Sequence, residues 1–380
     1  MKFENTSSSE ICEANLSIEI EDFIKSSLHA KRQPRSFYKN FCELLLDFDQ
    51  VYNPDFSYSS LLQLFCNLLY EYHLDLDSPT DLLRYLKRRS FDDWQRYFNT
   101  MESAHLNEKR QHRYNESLNA KNLDSRLTEL TESYKALLVV SIELSYIPNA
   151  NIQKVEDDLE HFLRKVNRSK YGDDVLLLVW ALEQGVKSKG YHCHVAFIFD
   201  ERNRIEAWKI ANDMGELWED ITDGDGRYFN CHDRRYLKQY EENGMVGIGI
   251  IYSNLKYQVD RMRAVLLYLA RPKKEQYLRI KSTKKMKTFG MSKTQACRLV
   301  SLFSFNEDYL MNITCPYCYS ANVSRATTQP SGNNSFSSMA GAGIGASLAK
   351  SLPTPFSPLL GGLAGAVVGG LVDSLVQPSQ

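Results

Sequence analysis

The stretch YHCHVAFIF at residues 191–199 carries the clearest strand signal in the middle of this chain. It is a short apolar run rich in aromatic and β-branched residues, which is typical of a buried strand. Because side chains alternate between the two faces of a strand, His192 and His194 share one face. Cys193 and Val195 share the other face with the phenylalanines, and that face is predicted to be core. Two imidazoles at i and i+2 are half of a metal site, unless they are ordinary histidines near a strand end.

Segments on both sides of this strand alternate between strand and helix patterns. We predict an α+β fold in which residues 136–300 form a ferredoxin-like core of order βαββαβ, followed by one more helix. The polar residues 185–190 predict a hairpin loop, and residues 220–244 are predicted to be mostly loop. The patterns predict strands at 137–146, 175–183, 191–199 and 246–252, and helices within 155–166, 204–219 and 255–270.

The N-terminal part of the chain has a different character. Residues 1–15 are polar and acidic, lack the apolar segment of a secretory signal, and are predicted to be disordered. Residues 16–125 show helical periodicity and are predicted to form an all-helical domain. Within it, residues 102–130 are very polar, which predicts an exposed helix or a linker.

The C-terminal part is predicted to be a linker and a tail. Residues 301–338 are polar, and Cys315 and Cys318 within them make half of a zinc knuckle. Cys231, His232 and Cys297 do not complete it at a recognisable spacing, so unliganded thiols are the favoured interpretation. Residues 339–380 are rich in glycine and alanine, which predicts a glycine-zipper-like apolar tail that inserts in a membrane or drives self-association, or else a flexible low-complexity segment.

Composition sets few limits on function. The chain has 380 residues, of which 43% are hydrophobic, and a net charge of −1, which argues neither for nor against a polyanionic partner. Eight scattered cysteines form no regular framework and fit the reduced thiols of a cytoplasm. No uninterrupted apolar run long enough to span a membrane precedes the tail, so we predict a cytoplasmic protein whose tail associates with membranes or with itself.

Glu183 is the predicted third ligand of a metal site. It ends the strand that pairs with the histidine strand, and the hairpin would bring its carboxylate close to both imidazoles. Two histidines and one carboxylate leave positions open for water and substrate, as catalytic metal sites require. These ligands suit Mn²⁺, Zn²⁺ or Fe²⁺, and Mg²⁺ by its cellular availability. The alternative is a solvated hairpin carboxylate. The histidine face of the sheet is predicted to be free of helices and to carry Ser141, Glu143 and Ser145.

Tyr268 is the predicted nucleophile. It lies on the helix that follows the last predicted strand, and Arg271 follows it by three residues. A tyrosine with its ordinary pKa of about 10 is a poor nucleophile, but a neighbouring cation and a metal that polarises a phosphate would make its attack feasible. The alternative is that Tyr268 only packs in an amphipathic helix. Tyr252, Tyr257 and Tyr277 are rival candidates.

Cations and aromatic residues are interleaved in the last part of the core. Lysine and arginine neutralise phosphates, and aromatic rings stack on unpaired bases, so the segment favours a polyanion over a merely solvated face. The predicted nucleic-acid-binding residues are Lys256, Arg261, Arg263, Lys273, Lys274, Lys284, Lys285 and Lys287.

Residues 139–293 resemble the inovirus-type replication endonucleases, a prophage protein family (YagK/YfjJ-like) of the HUH endonuclease superfamily. The resemblance implies a metal-bound His-x-His, attack on DNA by Tyr268, and a 5′-phosphotyrosine intermediate with a free 3′-OH. Arg271 stands where the family commonly has lysine and keeps the charge without being a proton donor, and Cys193 stands where a bulkier apolar residue is usual. The matching stretches are VVSIELSYIP (139–148), VWALEQ (179–184), YHCHVAFIF (191–199), LLYLARPKK (266–274) and TFGMSK (288–293).

The resemblance implies a rolling-circle replication initiator that uses Mg²⁺ or Mn²⁺. Its expected partners are single-stranded or extruded origin DNA and host replication proteins. Two other functions remain open from the sequence. One is a non-catalytic, nucleic-acid-binding prophage regulator on the same scaffold, and the other is a membrane-associated protein that anchors DNA through residues 339–380.

Overall fold

The computed structural model describes residues 11–71, 78–146, 150–185, 190–271 and 276–292. All of them belong to the first of two compact units, residues 1–292, and the second unit comprises residues 293–380. The predicted linker with Cys315 and Cys318, the predicted tail, Cys297, Lys273 and Lys274 therefore lie outside the described residues.

Helices and an antiparallel sheet make a mixed α/β fold. The helices are α1 (Glu13–His29), α2 (Phe37–Val51), α3 (Leu62–Glu71), α4 (Pro79–Leu86), α5 (Phe91–Asn99), α6 (Glu102–Ser133), α7 (Ile152–Asn167), α8 (Ala207–Ile221), α9 (Arg234–Glu241) and α10 (Lys256–Ala270). The strands are β1 (Ser57–Tyr58), β2 (Ala136–Tyr146), β3 (Val175–Gln184), β4 (Tyr191–Asp200), β5 (Gly226–Asn230), β6 (Gly249–Tyr252), β7 (Ile280–Lys281) and β8 (Phe289–Met291).

The strand order of the main sheet is β5-β2-β4-β3-β8, and β6 pairs with β2 beside β5. Every pairing in it is antiparallel. The predicted hairpin is present, because β3 and β4 are neighbours in register with Glu183 opposite His192. The four predicted strands are thus confirmed. The structure adds β5 and α9 in the region that was predicted to be loop.

The alternation along β4 is confirmed by the two apolar cores. Cys193 and Val195 belong to the larger core, which α7, α8 and the N-terminal helices share. Ala196 and Ile198, on the histidine face, belong to a second core with α6 and α10.

The histidine face is not free of helices, contrary to the sequence prediction. A stripe along α6 covers it together with α10, and the stripe consists of Ala120, Leu123, Leu127 and Leu130, all buried. These four apolar residues recur at helical spacing inside a very polar segment. They are too sparse to show an apolar face, so the composition of residues 102–130 predicts an exposed helix or a linker.

The sequence predicts a domain boundary between residues 125 and 136, but the described part of the chain has no boundary there. Helix α6 runs without interruption through residue 125, and the N-terminal helices contribute to the same core as β2 and β4. Residues 11–15, predicted to be disordered, also belong to the fold. Glu13 begins α1 and is buried, and its carboxylate accepts hydrogen bonds from the Ile152 backbone N–H (2.9 Å) and the Tyr191 hydroxyl (2.8 Å).

Glu13 makes stability depend on pH. Burial raises its pKa to about 7, and the hydrogen bonds from Tyr191 and Ile152 oppose that rise only in part. The folded state therefore binds the Glu13 proton more tightly than the unfolded state. The resulting stabilisation is complete below the unfolded pKa of about 4.5 and is lost as pH rises through about 7.

Glu13→Gln removes this titration and keeps an oxygen that accepts both hydrogen bonds. We expect the free energy of unfolding to fall less between about pH 5 and pH 8 than in the wild type, by on the order of 2–3 kcal/mol. Urea unfolding at both pH values measures the difference. Glu19→Gln, at an exposed position of α1, should leave the wild-type dependence unchanged. An equal dependence in the wild type and Glu13→Gln would contradict the assignment.

No helix among residues 11–292, with the gaps given above, is both long and apolar enough to cross a bilayer.

Candidate metal and nucleophile site

The strand register brings the predicted ligands together. His192 lies opposite Glu183 of β3, and His194 lies opposite Glu143 of β2. Directly opposed residues of antiparallel strands project to the same face with Cβ atoms about 5 Å apart. Glu183, both histidines and Glu143 therefore share one face of the sheet.

Both imidazoles direct the same nitrogen at one carboxylate oxygen. Nε2 of His192 lies 3.6 Å from Oε2 of Glu183, and Nε2 of His194 lies 3.8 Å from that oxygen. The two rings are almost perpendicular, with centroids 5.1 Å apart. One ligand atom from each of the three residues lies within 4.8 Å of the others, so the cluster could hold a metal ion.

The second nitrogen of each ring lies near an acceptor, which is within hydrogen-bond distance only for His192. Nδ1 of His192 lies 3.4 Å from the Gly190 carbonyl oxygen, and Nδ1 of His194 lies 3.9 Å from Oε2 of Glu143. Metal-binding histidines commonly donate their other N–H to a carbonyl or carboxylate, which fixes the tautomer and leaves the remaining nitrogen to bind the metal.

The burial of the cluster favours a bound cation. Glu183 and His192 are each 2% exposed and His194 is 5% exposed. Within the part of the chain that the structure describes, neither carboxylate oxygen of Glu183 accepts a hydrogen bond. A buried carboxylate without donors is costly, and a divalent cation between it and two imidazoles would remove that cost. The two nitrogens and one oxygen suit Mn²⁺, Zn²⁺ or Fe²⁺.

Tyr268 lies close enough to Glu183 for the carboxylate charge to act on its hydroxyl. It is 4% exposed, and its hydroxyl is buried without a hydrogen bond to any described residue. Burial raises the pKa of Tyr268, and the negative charge of Glu183 raises it further. The rival tyrosines differ: Tyr277 donates a hydrogen bond to Glu21 (2.7 Å), and Tyr252 and Tyr257 are exposed.

Glu116 of α6, which the sequence analysis did not single out, lies within range of the charges of Glu183 and Arg271. Burial raises its pKa to about 7; the charges of Arg113 and Arg271 lower it and that of Glu183 raises it. A carboxyl group with such a pKa exchanges protons near neutral pH, as a general acid or base must. No pattern in the polar stretch 102–130 marks Glu116, because its role depends on how α6 packs.

The predicted DNA-binding cations fall into different environments. Lys284, Lys285 and Lys287 are exposed. Lys256 pairs with Asp260 (2.6 Å), and the Arg261 guanidinium lies 5.0 Å from the centroid of the Tyr257 ring.

Arg263 and Arg271 lie on or next to α10. Arg263 pairs with Asp124 of α6 (3.2 Å) and donates to Thr128, so it links the two helices that cover the histidine face. Arg271, just after the end of α10, is exposed and lowers the pKa of Glu116 by its charge.

Comparisons of the chain with protein-family models, with curated proteins and with solved structures find no match.

Proposed function

We propose that this chain is a metal-dependent DNA strand transferase of the HUH type, which nicks single-stranded or extruded origin DNA and thereby starts rolling-circle replication. One observation carries the proposal. A buried Glu183–His192–His194 cluster that could hold a metal ion lies near Tyr268, whose hydroxyl has no hydrogen bond within the described residues.

The sheet supports the proposal. Its order β5/β6-β2-β4-β3, with α7 and α8 as the connections after the first and third of these strands in the chain, supports a ferredoxin-like split βαβ arrangement. The position of the fourth strand is divided between β5 and β6, which pair with different parts of β2. Helix α10 follows β6, packs on the histidine face of the sheet and carries Tyr268.

The proposed reaction is a transesterification. Oη of Tyr268 attacks the scissile phosphorus and forms a phosphotyrosine bond, while the bond from phosphorus to the 3′ oxygen breaks. The phenolic proton of Tyr268 passes to solvent, and the departing oxygen takes up a proton from solvent to become a free 3′-OH. One phosphodiester replaces another, so no energy source is needed and the strand is rejoined by the reverse reaction.

Three side-chain atoms of the cluster are the proposed metal ligands. Nε2 of each histidine and Oε2 of Glu183 would hold the metal, and a bound divalent ion polarises a phosphate and stabilises the charge that develops on it. Neutralising Glu183 also removes the negative charge that raises the pKa of Tyr268. The three ligand residues are only 2–5% exposed, and such burial strengthens electrostatic interactions at the site.

The test is incubation of the full chain with circular single-stranded DNA and Mn²⁺ or Mg²⁺, with EDTA as the control. We expect nicked DNA joined covalently to the protein, visible as a slowly migrating band in a denaturing gel, and a 3′ end that a polymerase extends. DNA binding without an adduct in either metal would contradict the proposal.

Burial of the cluster favours one alternative. A metal site that is only 2–5% exposed also suits a structural ion in a non-catalytic regulator that binds nucleic acid. In that case DNA binding should survive in EDTA, and no adduct should form.

A role as a membrane-associated anchor depends on residues 339–380 and is tested by fractionation of the chain with and without them.

A further inference from the structure

Two rows of residues cross the histidine face and continue past the metal cluster. One row runs from Glu183 through His192 and Ser145 to Arg227, and the other from His194 through Glu143 to Phe229. Each row consists of directly opposed residues, so all of them project to the same face. Arg227 and Phe229 of β5 therefore lie on the histidine face, two strands from β4, which corresponds to about 10 Å.

This end of the histidine face is exposed. Phe229 is 41% exposed and Arg227 is also exposed, whereas the metal cluster is buried. The intervening residues of β2, Glu143 and Ser145, are partly buried. The two rows thus connect the exposed end on β5 with the buried cluster.

Phe229 and Arg227 are held in place. The Phe229 ring meets Tyr236 of α9 edge to face at 4.8 Å, and Tyr236 in turn contacts Tyr240 at 5.2 Å. Nη1 of Arg227 donates to the carbonyl oxygens of Gly224 (2.8 Å) and Gly226 (2.7 Å). A guanidinium has five N–H donors, so Arg227 keeps donors for an anion while its orientation is fixed.

Cations outnumber acidic residues between residues 226 and 240, which follow the exposed Asp223 and Asp225. Between residues 226 and 240 there is one acidic residue, Asp233, and its carboxylate accepts hydrogen bonds from the first turn of α9. The cations of the same segment are Arg227, Arg234, Arg235 and Lys238, and all four are exposed. An exposed ring beside fixed positive charge is the combination that binds unpaired bases and their phosphates.

We propose that Phe229 and Arg227 form a nucleotide subsite for single-stranded DNA. Phe229 stacks on an unpaired base, and Arg227 contacts a phosphate of the same strand. The strand then runs along the two rows to the Glu183–His192–His194 cluster, so the subsite selects single-stranded substrate. This inference rests on the proposed function for the identity of its ligand, and it adds where the strand lies.

The test measures binding apart from cleavage. A fluorescent single-stranded oligonucleotide is titrated with the full chain in EDTA, and the dissociation constant is read from anisotropy. We expect Phe229→Ala to weaken binding about 5- to 100-fold, and Phe229→Trp to restore it because the ring is retained. Arg227→Ala should weaken binding and reduce the slope of log K against log salt by about one.

The matched control is Tyr70→Ala, at an aromatic residue of α3 that is 77% exposed. It should bind DNA as the wild type does. Circular dichroism and thermal melting of every variant verify the fold. Wild-type affinity in Phe229→Ala overturns the subsite, and so does an equal loss in Tyr70→Ala.

The subsite and the proposed function fail in different ways. If the wild type forms the covalent adduct and Phe229→Ala binds and nicks equally well, the function stands and the subsite is overturned. If Phe229→Ala loses binding but the wild type never forms an adduct, the subsite stands and the nicking function is overturned. If the wild type binds no single-stranded DNA, the subsite is overturned and the surface is left to a protein partner.

Discussion

Replacing Tyr268 with phenylalanine is expected to abolish the covalent protein–DNA adduct and to leave binding of single-stranded DNA intact. Loss of the attacking oxygen should lower the nicking rate by at least about 10³-fold, because no neighbouring group substitutes for a covalent nucleophile. The fold should not suffer. The Tyr268 hydroxyl has no hydrogen bond within the described residues, so phenylalanine leaves no partner unsatisfied.

Tyr277→Phe is the matched control for Tyr268→Phe. It removes a hydroxyl that donates to Glu21, so the protein should lose about 1 kcal/mol of stability but still form the adduct. Tyr268→Phe is thus expected to lose adduct formation and keep its stability, whereas Tyr277→Phe is expected to lose stability and keep adduct formation. An adduct that persists in Tyr268→Phe at the wild-type rate would show that another residue attacks the DNA.

Glu183→Gln is expected to stabilise the metal-free protein and to abolish its response to metal. Glutamine has nearly the same shape, but it removes a buried negative charge that accepts no hydrogen bond from the described residues. In the wild type, Mn²⁺ at about 100 times its dissociation constant should add about 2.7 kcal/mol of stability and raise the melting temperature by on the order of 5 °C. Glu183→Gln and His192→Ala should show no such rise and no nicking.

Thermal melting with EDTA and with Mn²⁺ measures both effects of Glu183→Gln. Glu143→Gln is the control, because Glu143 faces Nδ1 of His194 and not the metal side of the ring. Loss of such an outer partner commonly weakens metal affinity by about 10- to 100-fold, so a response to metal should return at higher Mn²⁺ concentration. If Mn²⁺ stabilised Glu183→Gln as strongly as the wild type, the cluster would not be the metal site.

The strands and helices around the histidines were predictable because their signals are local. Strand alternation at 191–199 predicted which face carries His192 and His194, and the short loop predicted that Glu183 lies beside them; the structure brings the three together. Each inference depends on residues within about ten positions of each other, where periodicity and hairpin geometry act directly.

Features that depend on distant packing were not predictable. The four apolar residues of α6 that cover the histidine face are sparse among polar ones, so the segment lacked a strong signal. Strand β5 is short, and the residues of β2 with which it pairs lie 80 or more positions earlier in the chain. Gly290 shows the same limit: a Cβ there would lie 2.5 Å from Nε1 of Trp180, a close approach that only the pairing of β3 and β8 creates.

The continuity of α6 determines how the protein is divided for experiments. A fragment that begins at residue 136 would retain Glu183, His192, His194 and Tyr268, but it would lose the stripe of α6 that packs on the same face of the sheet. It would also expose the part of the larger core that the N-terminal helices fill. Such a fragment would present bare apolar surface and tend to aggregate. The smallest unit suitable for expression therefore begins before α1 and extends through β8.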